Sequence, residues 1–279
     1  MAMINKKNPE EAMIASLRAR YTDDVLAKMI FEAKAMPKTA KIAGKLETSR
    51  IQAWVKSHET VDDVFMLLKL DEAGENLFRT PQFSSWAAFV TTSAPKNPEV
   101  PMVMLLKARY KDEAQLARMI ESATKVPRTE DIATKLQTDL LNRWRLDRKS
   151  SGDILMLLKL NKAGDDIIGR PEFNTWALYT SFISEKVPER AMISTLTASY
   201  GDEALSKMLE TAKHVRETKV MATNLQNAQF KNWLDQDFTP QKVLELLGMK
   251  DKLREPNAIV WYVYKANYEI AQAAKKTKV

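Results

Sequence analysis

Apolar residues recur along this chain at the three- and four-residue steps of helices, broken by caps and prolines into segments of ten to twenty residues. Val25, Leu26, Met29, Ile30 and Ala33 fall on one face of such a segment, the mark of an amphipathic helix. Before it, Pro9-Glu10 suits a helix start, since Pro gives up no intrahelical bond in the first turn and Glu meets the positive end of the dipole. That first helix runs toward Tyr21. Thr39 is a candidate N-cap for a third helix carrying Ile42, Leu46 and Trp54, and Thr60 for a fourth leading into the apolar run Val64 to Leu68. A fifth starts at Pro81 and carries Phe83, Trp86 and Phe89.

The same five-helix pattern is then written twice more. Pro9, Pro98 and Pro188 each precede Glu, at intervals of 89 and 90 residues. Leu17, Leu106 and Leu196 keep those intervals, as do Tyr21, Tyr110 and Tyr200. Trp54, Trp144 and Trp233 each follow a Met-Ile or Met-Leu pair by 25 residues. Candidate caps recur at Thr129 and Thr218, and at Ser150 and Thr239. Leu67-Leu68-Lys69-Leu70 returns as Leu157-Leu158-Lys159-Leu160 and, diverged, as Leu246-Leu247-Gly248-Met249. The late prolines Pro81, Pro171 and Pro256 open helices with Phe173, Trp176 and Tyr179 in the second copy and Trp261 and Tyr264 in the third. Only one interval shortens: 11 residues separate Leu70 from Pro81 and Leu160 from Pro171, but 7 separate Met249 from Pro256.

Periods of this kind mark arrays in which neighbours complete one another's cores. The expected architecture is therefore all-α: a tandem array of three helical-bundle repeats, 1–97, 98–187 and 188–279, forming an elongated rod. If the first helix of each repeat closes the core of the one before, Met102, Leu106, Met192 and Leu196 are buried at the two joints. The first repeat also carries Met13 and Leu17 with no repeat ahead of them, so the chain is expected to be an internal-to-C-terminal piece of a longer array, or an engineered assembly.

Composition agrees with a packed helical protein. The 279 residues are 45% hydrophobic and include 7 Gly, so helix-forming residues dominate. Without Cys there is no disulfide or thiolate chemistry, and no apolar run approaches the ~20 residues of a membrane span. The net charge of +7 invites a nucleic-acid reading, but Lys6, Lys7, Lys275, Lys276 and Lys278 account for 5 of it at the termini. Mixed signs along the helices, as in Asp23, Asp24, Lys28 and Glu32, do not gather into one basic face.

Candidate chemistry is sparse. His58 and His214 occupy unmatched repeat positions with no metal-site or general-base constellation around them, and no phosphate-binding, nucleophile-elbow or zinc-protease motif occurs. Asp62-Asp63 and Asp165-Asp166 are placed for capping. No catalytic, cofactor-binding or metal-binding residue is assigned. The repeated aromatics Trp54, Trp86, Phe89, Trp144, Trp176, Tyr179, Trp233, Trp261 and Tyr264 read as core, since each Trp contributes roughly 150–250 Å² of burial that a small module without disulfides requires.

In these positions the chain resembles the tandem LWY-repeat effectors of the oomycete RXLR class. The L motif looks like Met13 through Leu17 and Tyr21 to Met29, the W motif like Trp54 with Leu67 to Leu70, and the Y motif like Pro81, Phe83, Trp86 and Phe89. The match recurs three times. It departs at Phe89, which keeps the ring of Tyr179 and Tyr264 without the hydroxyl, and in having no Arg-x-Leu-Arg segment. The resemblance implies a monomeric, non-enzymatic virulence protein, secreted and delivered into plant cells without a membrane or cofactor role. Some members are described as recruiting the host protein phosphatase 2A core through its scaffold subunit, and some as suppressing RNA silencing. A nucleic-acid-binding helical array and a purely architectural scaffold are the alternatives. The partner-binding residues are not legible.

Overall fold

The computed structural model describes residues 9–249 and 257–276; Pro256, Lys6, Lys7 and Lys278 lie outside them. Among the described residues there is no strand. The chain divides into two compact units, 1–140 and 141–279, so the boundary falls inside the second sequence repeat.

The first unit contains α1 (Pro9–Arg18), α2 (Asp23–Ala35), α3 (Ala40–Lys56), α4 (Val61–Leu67), α5 (Pro81–Ser93), α6 (Glu99–Arg109), α7 (Glu113–Ala123) and most of α8 (Glu130–Leu146). Two short 3₁₀ segments, Leu70–Glu72 and Gly74–Arg79, link α4 to α5. α3 packs on α1, α2 and α5, while α6 lies against α4 and α5 and α7 against Gly74–Arg79.

The second unit holds α9 (Ser151–Leu157), 3₁₀ segments Leu160–Lys162 and Gly164–Gly169, α10 (Pro171–Ile183), α11 (Pro188–Ala212), α12 (Lys219–Asp235), α13 (Pro240–Leu246) and α14 (Ala258–Lys276). α11 packs on α9, α10 and Gly164–Gly169, repeating the arrangement of α6 and α7. The two helices expected over 188–212 meet within α11 at a kink at Gly201, whose φ of 76° and ψ of 164° are non-helical and suited to glycine.

Local chemistry fixes the boundaries of these elements. Thr60, Ser150 and Thr239 cap α4, α9 and α13, each hydroxyl accepting from the backbone N–H three residues on. Thr39 and Thr218 stand at the N-caps of α3 and α12 as expected, but make no side-chain cap bond: their hydroxyls, like that of Thr129, donate backward to the carbonyls of Ala33, Ala212 and Ala123, at 2.7, 2.7 and 2.8 Å. They staple the end of the preceding helix. The αL backbone of Lys69 and Lys159, with φ of 52° and 57°, explains the divergence at Gly248, which takes φ 66° at the same place. His58 sits in another αL position shared with Arg148 and Asp237.

The caps of α4 and α9 are reciprocal, and this gives them a pH dependence. Asp63 accepts from the Thr60 amide and hydroxyl at 2.8 and 2.6 Å, and Asp153 from those of Ser150 at 2.8 and 2.7 Å. The Thr60 hydroxyl and then its amide hold Asp63 below the usual carboxylate range; the Ser150 amide and then its hydroxyl do the same for Asp153. A depressed carboxylate stabilises the fold above its unfolded value of about 4 and loses that contribution as pH falls through the folded one. α13 carries Lys242 at this position and has no carboxylate to protonate. An NMR acid titration is expected to loosen the first turns of α4 and α9 below that pH while the first turn of α13 keeps its shifts.

Candidate docking surface

Each repeated aromatic goes to the interior. Trp54, Trp86, Trp144, Trp176 and Trp233 are fully buried, with Phe89, Tyr179, Trp261 and Tyr264 beside them. The ring of Phe89 meets Trp54 edge-on at 5.9 Å, Tyr179 meets Trp144 at 5.6 Å and Tyr264 meets Trp233 at 5.3 Å, with interplanar angles of 87–90°. This is the favoured T-shaped geometry. Indole N–H groups of Trp86, Trp176 and Trp261 donate to the carbonyls of Val61, Ser151 and Pro240 at 2.9, 2.9 and 2.8 Å, tying the fifth helix of each repeat to the first turn of the fourth. Tyr179 and Tyr264 add a hydroxyl bond to Lys149 O and Phe238 O, at 2.5 and 2.6 Å. Burial pushes the Tyr264 phenol up to about 12. Phe89 keeps the ring packing and lacks that bond. None of these side chains is available to a ligand.

Met102, Leu106, Met192 and Leu196 are buried too. Around the first pair, the Tyr110 hydroxyl donates to Gly74 O at 2.9 Å, Arg118 pairs with Glu75 at 2.6 Å and Arg109 with Asp62 at 2.5 Å. Around the second, the Tyr200 hydroxyl donates to Leu160 O. The apolar side chains supply the bulk of this attachment, and the exposed ion pairs contribute little beyond orientation.

A polar centre inside each core escaped the sequence reading. Arg50 is fully buried, donates to Asp23 O at 3.1 Å and Ser85 Oγ at 2.9 Å, and lies 4.7 Å from the Trp54 ring. Desolvation lowers its pKa to about 10, against the opposing pull of Asp23 and Glu47. Glu121 takes this role in the second repeat, accepting from Gln137 at 2.7 Å. In the third, Gln229 accepts from Ser206 and Gln226 at 3.1 and 2.8 Å. The signal was present: Arg50 stands four residues before Trp54, on the same helical face, where the other repeats have Leu140 and Gln229.

What remains for recognition is the exposed helical surface. Between α11 and α12 runs a groove of about 460 Å³ with Asn224, Asn227, Asn232, Lys186, Lys231 and Arg190 along it. In the first repeat the matching cleft between α1 and α3 is bridged by Lys45 to Glu10 and Lys56 to Glu11, at 2.8 and 2.6 Å. His58 and His214 are both exposed. Among the described residues no group of three or more metal-ligating side chains forms, and no helix is long and apolar enough to cross a membrane.

Comparison with known proteins places this architecture. The family described as "Effector PexRD54, WY-domain" matches residues 49–90, the stretch from the end of α3 through α5. "RxLR effector protein PSR2" of Phytophthora sojae is 31% identical over 92% of this chain and 40% of its own length. The chain belongs to the RxLR effectors built from WY repeats. A protein named PSR2 from Phytophthora infestans is 33% identical over 91% of the effector chain and 34% of its own length. The crystal structure of PcRxLR12 superposes with a TM-score of 0.76 at 37% identity, over 94% of this effector and 66% of that chain. The effector thus spans about two fifths of the length of the first of these curated relatives.

Proposed function

We propose that this chain is a non-enzymatic virulence effector, secreted and delivered into host plant cells, which acts by docking a host protein. The partner proposed is the protein phosphatase 2A core, held through its scaffold subunit, so that the host supplies the chemistry and the effector the targeting. The observation that carries this reading is the similarity to RxLR effectors named PSR2 across more than nine tenths of the chain. Burial of every repeated aromatic supports it as well, because recognition then falls on broad helical faces rather than on a pocket. Specific protein interfaces bury about 1,200–2,000 Å² in total, and a prefolded helical surface loses less entropy on forming one.

The test is binding of the purified chain to the scaffold subunit, followed by phosphatase assay of what it captures from plant extract. Binding at or below tens of micromolar with co-purified phosphatase activity is the expected result. Absence of both would sink the phosphatase reading. A salt-sensitive complex with RNA in its place would favour a nucleic-acid function.

A further inference from the structure

We propose that the groove between α11 and α12 binds a short extended segment of another protein, holding its main chain with a row of asparagines and its acidic side chains with Lys186 and Lys231. This goes beyond the scaffold-docking reading and does not depend on it. The first repeat shows the same cleft closed by its own charges: Lys45 reaches Glu10 at 2.8 Å and Lys56 reaches Glu11 at 2.6 Å. In the third repeat Asn224 stands in place of Lys45, so the first bridge has no counterpart, and the second is reversed as Arg190 and Asp235 at 3.4 Å. The cleft there is about 460 Å³, against about 270 Å³ in the first repeat.

The side chains that line the opened groove do nothing for the fold. Asn224 and Asn227 are exposed and Asn232 half-buried, and among the described residues none of their carboxamides has a hydrogen-bond partner. Asparagine is a poor helix former, because its side chain competes for backbone hydrogen bonds, so α12 is weakened by carrying three. The equivalent residues are Lys45, Thr48 and Ala53 in the first repeat and Lys135, Thr138 and Arg143 in the second, with no amide among them. A carboxamide offers an acceptor and two donors, the complement of a peptide group. Asn224 and Asn232 stand ~12 Å apart along the helix, the span of about four residues of extended chain. Charge then selects the occupant. Among the described residues Lys186 and Lys231 have no acidic partner, whereas Arg190 is already answered by Asp235. Glu189, the counterpart of Glu10, repels acidic side chains from the Asn224 end, which leaves Lys231 as their place.

Fluorescence anisotropy of the whole chain tests this with labelled heptapeptides Gly-x-Glu-x-Glu-x-Gly, where x is Ala, Val, Thr or Leu. Saturable binding by members of this set is expected, and none when both Glu are replaced by Lys. N-methylation of the residue between the two Glu keeps every charge and removes a main-chain donor, and should weaken binding about fivefold. Asn224→Ala with Asn227→Ala should weaken it about tenfold, while the doubly substituted chain melts no lower than the parent because Ala is the better helix former. Lys231→Glu should abolish binding by the acidic set. Absence of binding by every member of the set would overturn the proposal. So would equal binding of methylated and parent peptides, or undiminished binding by the doubly substituted chain, since charge alone would then hold the ligand. A complex with single-stranded RNA that the acidic peptides fail to displace and that Lys231→Glu abolishes would assign the groove to nucleic acid instead.

Discussion

Replacing Trp144 with Ala is expected to lower the stability of the effector by about 3–5 kcal/mol, the cost of an unfilled cavity left by a large aromatic. Trp144 is almost wholly inaccessible, and its ring receives the edge of Tyr179 at 5.6 Å, so truncation removes both the buried area and the partner of a second aromatic. Urea unfolding should show the loss as a lower midpoint. Because the indole touches no solvent, partner binding should weaken only in step with unfolding. A variant that melts like the parent yet no longer binds would move Trp144 from core to interface.

Leu196→Asp should cost more, upward of about 4 kcal/mol, because it places a carboxylate where burial is complete. Leu17→Asp is the matched control: the same change at the equivalent position of the first repeat, where the side chain is only half-buried. It should cost far less. Thermal melts of the two variants therefore measure what attachment to a preceding repeat adds at one position. Equal losses would mean that the leucine serves its own repeat and not the joint.

The helices and their repetition were legible in the sequence because they rest on local rules: helical spacing of apolar residues, proline at first turns, and hydroxyl caps. The position of Thr39 and Thr218 at helix starts was legible but the direction of their hydroxyls was not, because a hydroxyl at a helix junction can serve either helix and the αR backbone here turns it to the preceding one. Gly248 looked like divergence until its positive φ showed that Lys69 and Lys159 occupy the unusual conformation. Val25 and Met29 share a helical face with Leu26 and Ile30, yet the first two are exposed and the others buried. Periodicity groups side chains by direction and says nothing about what stands opposite. For the same reason the docking surface was illegible: partner contacts require no periodicity.

The polar centres have a consequence for how such arrays can diversify. Arg50 on α3 answers to Asp23 on α2, Gln137 on α8 to Glu121 on α7, and Gln229 on α12 to Ser206 on α11. Each pairing crosses from the second helix of a repeat to its third, and no two repeats use the same residues. A crossover between those helices would strand a charged or amide group inside a foreign core, at about 1–3 kcal/mol or more for each orphan. A crossover at Pro9, Pro98 or Pro188 leaves every pairing intact. Exchange of whole repeats beginning at the proline would therefore keep each interior matched, whereas an exchange between the second and third helices would not.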